Sequence, residues 1–172
     1  MSKLWLLMIC VLCVLGCKKD DALPENFLTA KIDGKTWMAN VPNSENTSVA
    51  AVIAQQNVAL AGVQETASEK TSMVIIFPED ITVGQEIDVN PLNRLIVAYA
   101  LTDTDAYLVD PAQGVTGKLK VNRLDKENRI VEGTFSGEAI NNKNGDKIAI
   151  AGGQFRSKLY AASVTTPKPG KK

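Results

Sequence analysis

From residue 27 onward, apolar and polar side chains alternate in short runs broken by turn residues, and no useful stretch repeats at helical spacing. Residues 27–32 place Leu28, Ala30 and Ile32 on one side and Phe27, Thr29 and Lys31 on the other. Asp33-Gly34 follows, a pair suited to the positive φ angles of a type I′ turn, and residues 35–39 run back. A second hairpin is predicted from 49–55 and 58–64 around Gln56-Asn57. Residues 73–77 are continuously apolar and end at Pro78, which predicts a central strand buried on both faces. Shorter strands are expected at 86–89, 94–101 and 106–109, the last two joined by a polar turn at 102–105. The final third has the clearest pattern: 118–124 and 130–139 alternate around a turn at 125–128. A Gly- and Asn-rich turn at 141–146 then leads to strands at 147–151 and 154–160. Short strands at intervals of roughly 8 to 12 residues predict one all-β domain over 27–160, an antiparallel, meander-like β-sandwich or flattened β-barrel. Gly133, Gly137, Gly152 and Gly153 fall inside the last strands, where glycine marks a bulge or a sharp bend.

Composition agrees with strands. Aromatics make up 5 % of the 172 residues, and Val, Ile, Ala and Thr fill the interior-type positions instead. A chain of this length buries roughly 70 % of its unfolded surface, so a core forms without disulfide staples. Nineteen basic residues balance nineteen acidic ones, which leaves no basic stripe to neutralise phosphates and argues against a nucleic-acid partner. Histidine is absent, and with it the commonest general base near neutral pH and the commonest transition-metal ligand.

The first 26 residues carry a different pattern. Met1-Ser2-Lys3 is a short positive start, and residues 4–15 are apolar, a secretory leader too short for a membrane-spanning helix of roughly 20 residues. Val14-Leu15-Gly16-Cys17 resembles the bacterial lipobox. The resemblance predicts that residues 1–16 are a signal peptide cleaved between Gly16 and Cys17, and that the Cys17 thiol takes a diacylglyceryl thioether. Cys10 and Cys13 form a C-x-x-C pair inside the discarded run, so the mature chain keeps Cys17 alone and forms no disulfide. Residues 17–26 comprise the lipidated Cys and a charged tether; Lys18-Lys19-Asp20-Asp21 directly behind it also resembles the surface-export signal of Bacteroidota lipoproteins. Residues 161–172, with two Pro, one Gly and three Lys, are expected to be a disordered tail. The expected partner of Cys17 is a lipid bilayer, and the expected location is the outer membrane of a bacterial envelope.

Phe27-Leu28-Thr29-Ala30-Lys31-Ile32-Asp33-Gly34-Lys35-Thr36-Trp37 behind a lipobox is similar to the opening of a family of Bacteroidota envelope lipoproteins of unknown function. Gly117-Lys118-Leu119, Val131-Glu132-Gly133-Thr134-Phe135-Ser136-Gly137 and Gly153-Gln154-Phe155 resemble its ending. The resemblance implies an all-β extracytoplasmic domain and brings no catalytic residues.

Few constellations carry chemistry. Asp103, Asp105 and Asp110 cluster around Tyr107 as hard-oxygen candidates, but lack the further acidic ligands or fixed Gly of a calcium loop. Asn142 to Asp146 offers oxygens beside Gly145, which is also ordinary hairpin composition. Glu79, Asp80, Glu86 and Glu138 are candidates for a glycosidase pair only by being acidic. No S-x-x-K element opens a helix, and no phosphate loop occurs. Trp37 is the single candidate ligand contact, able to stack on a sugar ring or anchor an interface if exposed; core packing is the commoner fate, for Tyr99 and Tyr107 too. These readings imply no cofactor, no metal and no catalytic residue. They point to a non-catalytic binding module of the envelope with a glycan or envelope-protein partner, the alternative being an assembly accessory of an outer-membrane complex. A concave surface with clustered aromatics would favour a glycan, and a flat apolar patch a protein.

Overall fold

The computed structural model describes residues 25–40, 48–102 and 104–161. The leader, Gly16, Cys17, most of the tether, Asp103 and the tail beyond Ala161 lie outside the described residues. Eleven strands form one mixed sheet: β1 (Phe27–Ile32), β2 (Lys35–Met38), β3 (Val49–Ala54), β4 (Asn57–Glu65), β5 (Lys70–Pro78), β6 (Glu86–Asp88), β7 (Ile96–Thr102), β8 (Asp105–Leu108), β9 (Gly117–Asp125), β10 (Ile130–Asn141) and β11 (Lys147–Ala161). The fold is all-β, as the alternation predicts.

Local chemistry sets the turns. Asp33 (φ 48°) and Gly34 (φ 79°) make the expected left-handed pair between β1 and β2. The β3–β4 turn is centred on Gln55 (φ 49°) and Gln56 (φ 61°), one residue earlier than predicted, because Asn57 is already paired with Ala54. In the β9–β10 turn, Asp125 accepts from the Asn128 backbone N–H, the Asn128 amide and the Arg123 guanidinium, each at 2.8 Å. These donors hold its carboxyl well below the usual carboxylate range, the backbone N–H of Asn128 first among them.

Pairing divides the sheet into two layers around one core. One runs β2-β1-β11-β10-β9-β6, the other β3-β4-β5-β7-β8. Phe77 meets Phe155 across the layers at 6.4 Å, and Trp37 meets Tyr99 at 6.3 Å. β10 and β11 belong to both layers. β11 pairs with β1 through Phe155 and Ile150, then crosses at Leu159 to β3; β10 pairs with β9 from Ile130, then with β8 at Ile140 and Asn141. The ring β11-β3-β4-β5-β7-β8-β10 therefore closes, a flattened barrel.

Three expectations need correction. The sheet is not a wholly antiparallel meander: β3 lies parallel to β11, β1 pairs with β11, and β6 pairs with β9. Closing a sheet removes its unpaired edges, and that requires partners far apart in sequence. The final segment is one strand, β11, rather than two. An extra residue between its two halves is absorbed as a bulge at Gly152 (φ 59°) rather than as a turn. β5 lies centrally in its layer between β4 and β7, but only its Met73, Ile75 and Phe77 side is fully covered. Val74 and Ile76 point outward and are only partly buried.

Two short 3₁₀ turns, Pro91–Asn93 and Pro111–Gln113, had no counterpart in the alternation. They share one construction. Asn90 and Asp110 each accept from the backbone N–H two residues on at 3.0 Å, Pro sets the first φ, and a left-handed residue (Arg94 or Gly114) ends the turn. Buried Val89 and Leu95 flank the first, and buried Val109 and Val115 the second.

Candidate functional site

The alternation of β2 turns Trp37 inward and leaves Thr36 and Met38 outside. Trp37 is 3 % exposed, its indole N–H donates to the Thr71 hydroxyl oxygen at 2.8 Å, and its ring meets Tyr99 edge-on. Tyr107 stands 6.5 Å beyond Tyr99. The three aromatics that the sequence singled out thus form one cluster at an end of the barrel. Burial holds the Tyr99 phenol above its ordinary pKa, partly offset by its hydrogen bond with Thr71. A cleft of 350 Å³ opens there, lined by Trp37, Tyr99 and Tyr107 together with Asp33, Lys35 and Glu69. A sugar stacks on a ring face, and Trp37 has almost none to offer. Trp37, the candidate ligand contact of the sequence, therefore packs mainly in the core while lining part of this cleft.

The acidic candidates are dispersed. Asp105 accepts from the buried Asn141 amide, and Asp110 caps its 3₁₀ turn and accepts from Gln113. Asn144 and Asp146 bond each other within their turn. Glu79 pairs with Lys126 at 3.3 Å, and Glu86 lies opposite Lys120. Among the described residues, no group of three His, Cys, Asp or Glu stands close enough to hold a metal ion.

The two outer faces of the barrel differ sharply in chemistry. Across the β1 layer one cross-strand row reads Met38, Thr29, Gln154, Thr134, Lys120, Glu86. Next to it Arg156, Glu132 and Arg123 form a charged ladder. The β3 layer carries nothing of the kind. Its central row reads Ala50, Ala61, Val74, Ala98, Leu108, Ile140. On one side lie Tyr160, Val52, Ala59, Ile76 and Ile96; on the other lie Val63, Ser72, Ala100 and Ala106. Apart from Ser72 and the Tyr160 hydroxyl, no polar side chain interrupts the three rows. Charge returns only at the ends, as at Glu65 and Lys70.

No family model, curated protein or solved structure matches this chain. The geometry therefore has to speak for the site.

Every row position is exposed or partly exposed, because period-two alternation sends these side chains away from the core. A contiguous apolar face of several hundred Å² marks an interaction site when it belongs to a folded domain in water. Its polar side chains are the Ser72 and Tyr160 hydroxyls alone, so its main chemistry is burial against another apolar surface. The sequence held the signal for it: 49–54, 58–63, 73–77 and 96–101 are apolar at nearly every position. Such runs ordinarily mean a strand covered on both sides. Here the second cover is missing from the chain's own described residues.

Proposed function

We propose that this chain is a lipid-anchored protein of the bacterial outer membrane whose β-domain is a non-catalytic interaction module. Its contact surface is the outer face of β3, β4, β5, β7 and β8, and its partner is a protein. The observation that carries this reading is the uncharged row from Ala50 to Ile140, set against the polar row on the opposite face. An uncharged apolar surface suits a folded partner, whereas the buried Trp37 offers a sugar little ring face. The lipobox at Val14 to Cys17 supports the anchor, and two acyl chains make such attachment lasting where one is marginal. The absence of histidine from the sequence supports a binding role over a catalytic one.

Two measurements test the proposal. Mass spectrometry of the native protein should find fatty acid on Cys17 as the first residue, and Cys17→Ser should leave the precursor uncut. An unacylated N-terminus lying elsewhere defeats the anchor. For the surface, a photo-crosslinking amino acid replacing Ala98 in living cells should give a discrete protein adduct, and the same group replacing Thr134 on the polar face should not. Equal results at the two positions defeat the contact surface.

A further inference from the structure

We infer that the cleft over Trp37, Tyr99 and Tyr107 is a second binding site, and that its ligand is a small organic ammonium with an apolar body. This site is separate from the apolar face and does not depend on how that face is used. The cleft lies where the two layers part. The β1–β2 hairpin brings Asp33, Lys35 and Trp37 from one layer. Glu69, just before β5, and the cross-strand partners Tyr99 and Tyr107 of β7 and β8 come from the other. Mouths of β-barrels are a recurrent place for small-molecule sites, and 350 Å³ falls at the small end of their usual range of about 300 to 1,000 Å³.

Floor and rim differ in chemistry. The aromatics are buried or half-buried, whereas Asp33, Lys35 and Glu69 are exposed, so rings form the floor and charges the rim. Ile32, Leu101 and Ile148 complete the wall and suit an apolar body. Among the described residues, none of the three rim charges takes part in an ion pair. Asp33 uses one carboxylate oxygen to accept from the Ala149 backbone N–H at 2.8 Å and keeps the other. After burial itself, the Glu69 charge raises the Tyr99 phenol most, so that carboxylate stands close to the rings.

The sign of the charge selects the ligand. Two carboxylates against one ammonium leave the rim net negative. An aromatic face also attracts a cation within about 6 Å of the ring centroid and gives an anion no such gain. The Tyr99 and Tyr107 centroids are 6.5 Å apart, so one ammonium above the pair stands within that distance of both. A sugar needs an open ring face to stack on, whereas a cation needs only proximity. A phospholipid headgroup fits less well, because its ammonium is joined to a polar phosphate rather than to an apolar body.

The test is an equilibrium titration of the full-length chain in a non-ionic detergent. With Trp5→Phe, Trp37 is the one tryptophan left, and its fluorescence reports on the cleft. Phenethylamine should bind saturably and change that fluorescence. Its neutral isostere 2-phenylethanol should bind at least about fivefold more weakly, and 3-phenylpropionate more weakly still. O-phosphoethanolamine, which offers a headgroup ammonium without the apolar body, should also bind more weakly than phenethylamine. Glu69→Gln and Tyr107→Leu should each weaken phenethylamine by about threefold or more, and Lys35→Gln should strengthen it. Glu127→Gln, in the β9–β10 turn, removes the same charge elsewhere and should change nothing. Glu69 and Lys35 are exposed, so their variants should keep the wild-type far-UV spectrum and carry the test if Tyr107→Leu misfolds.

No saturable binding of phenethylamine overturns the inference. So does equal or tighter binding of the alcohol, the carboxylate or O-phosphoethanolamine, and so does an equal effect of Glu69→Gln and Glu127→Gln. None of these results bears on the crosslink from position 98, so the cleft and the apolar face stand or fall separately.

Discussion

Thr71 is a small residue with a large responsibility. It is 7 % exposed, and its hydroxyl accepts the Trp37 indole N–H while bonding Tyr99. Thr71→Val preserves shape but strands that N–H away from water, so stability should fall by about 1–3 kcal/mol in urea unfolding, with Thr71→Ser closer to wild type. Tyr99 gives the same cluster a pH dependence. Its folded pKa lies above that of a free phenol, so its contribution is fully present below about pH 10 and is lost as pH rises through the folded value. Wild-type stability should therefore drop more steeply above pH 10 than that of Tyr99→Phe. Trp37 itself was half legible: alternation separates it from Thr36 and Met38, but only the opposing layer decides which of the two sides is inside.

The β10–β11 hairpin explains two sequence motifs that looked generic. Gly133-Thr134-Phe135 runs antiparallel to Gly153-Gln154-Phe155, so Gly133 faces Phe155 and Phe135 faces Gly153. Each ring lies over the glycine across from it, and the rings themselves meet at 6.4 Å. A side chain at either glycine would occupy a ring's place. A Cβ on Gly153 would stand 2.6 Å from Phe135 ring atoms, and one on Gly133 would also meet the Lys120 backbone carbonyl at 2.5 Å. Overpacking of this kind costs about 1–3 kcal/mol, and a backbone atom yields less than a ring. Gly133→Ala should thus destabilise more than Gly153→Ala in thermal unfolding; the reverse order would refute the account. Four glycines in these strands suggested bends or bulges. The register separates them: Gly152 forms the β11 bulge, Gly133 lies at the β9–β10 register shift as well as under a ring, Gly153 lies under a ring, and Gly137 packs against Gly117. The twin 3₁₀ turns were missed because each spans three residues, though Val-Asn-Pro and Val-Asp-Pro stand in the sequence as their signal.

Closure of the ring depends on the last residues of β11. Leu159 is 3 % exposed, and Leu159, Tyr160 and Ala161 pair with Ala51, Val52 and Ile53 of β3. Leu159→Ala should cost about 2–5 kcal/mol through lost burial and the cavity left behind. A chain ending at Lys158 should lose more, since it also gives up the parallel rungs and bares the edge of β3. Equal melting temperatures for the two would show that closure adds nothing beyond packing. Pairs such as Phe27 with Arg156 join the two ends of the domain, so the molecule should fold as one cooperative unit rather than hairpin by hairpin.

Period-two alternation and turn chemistry determined that the chain is all-β, where most strands lie, and that Asp33-Gly34 turns as it does. These are local properties, fixed within a few residues by sterics and side-chain direction. Strand order, the parallel β11–β3 contact and the bare apolar face were decided only in three dimensions. An apolar run states that a strand avoids water, and the same residues serve whether the cover comes from the chain itself or from another molecule. Only the positions of all eleven strands together reveal which side the described residues leave uncovered.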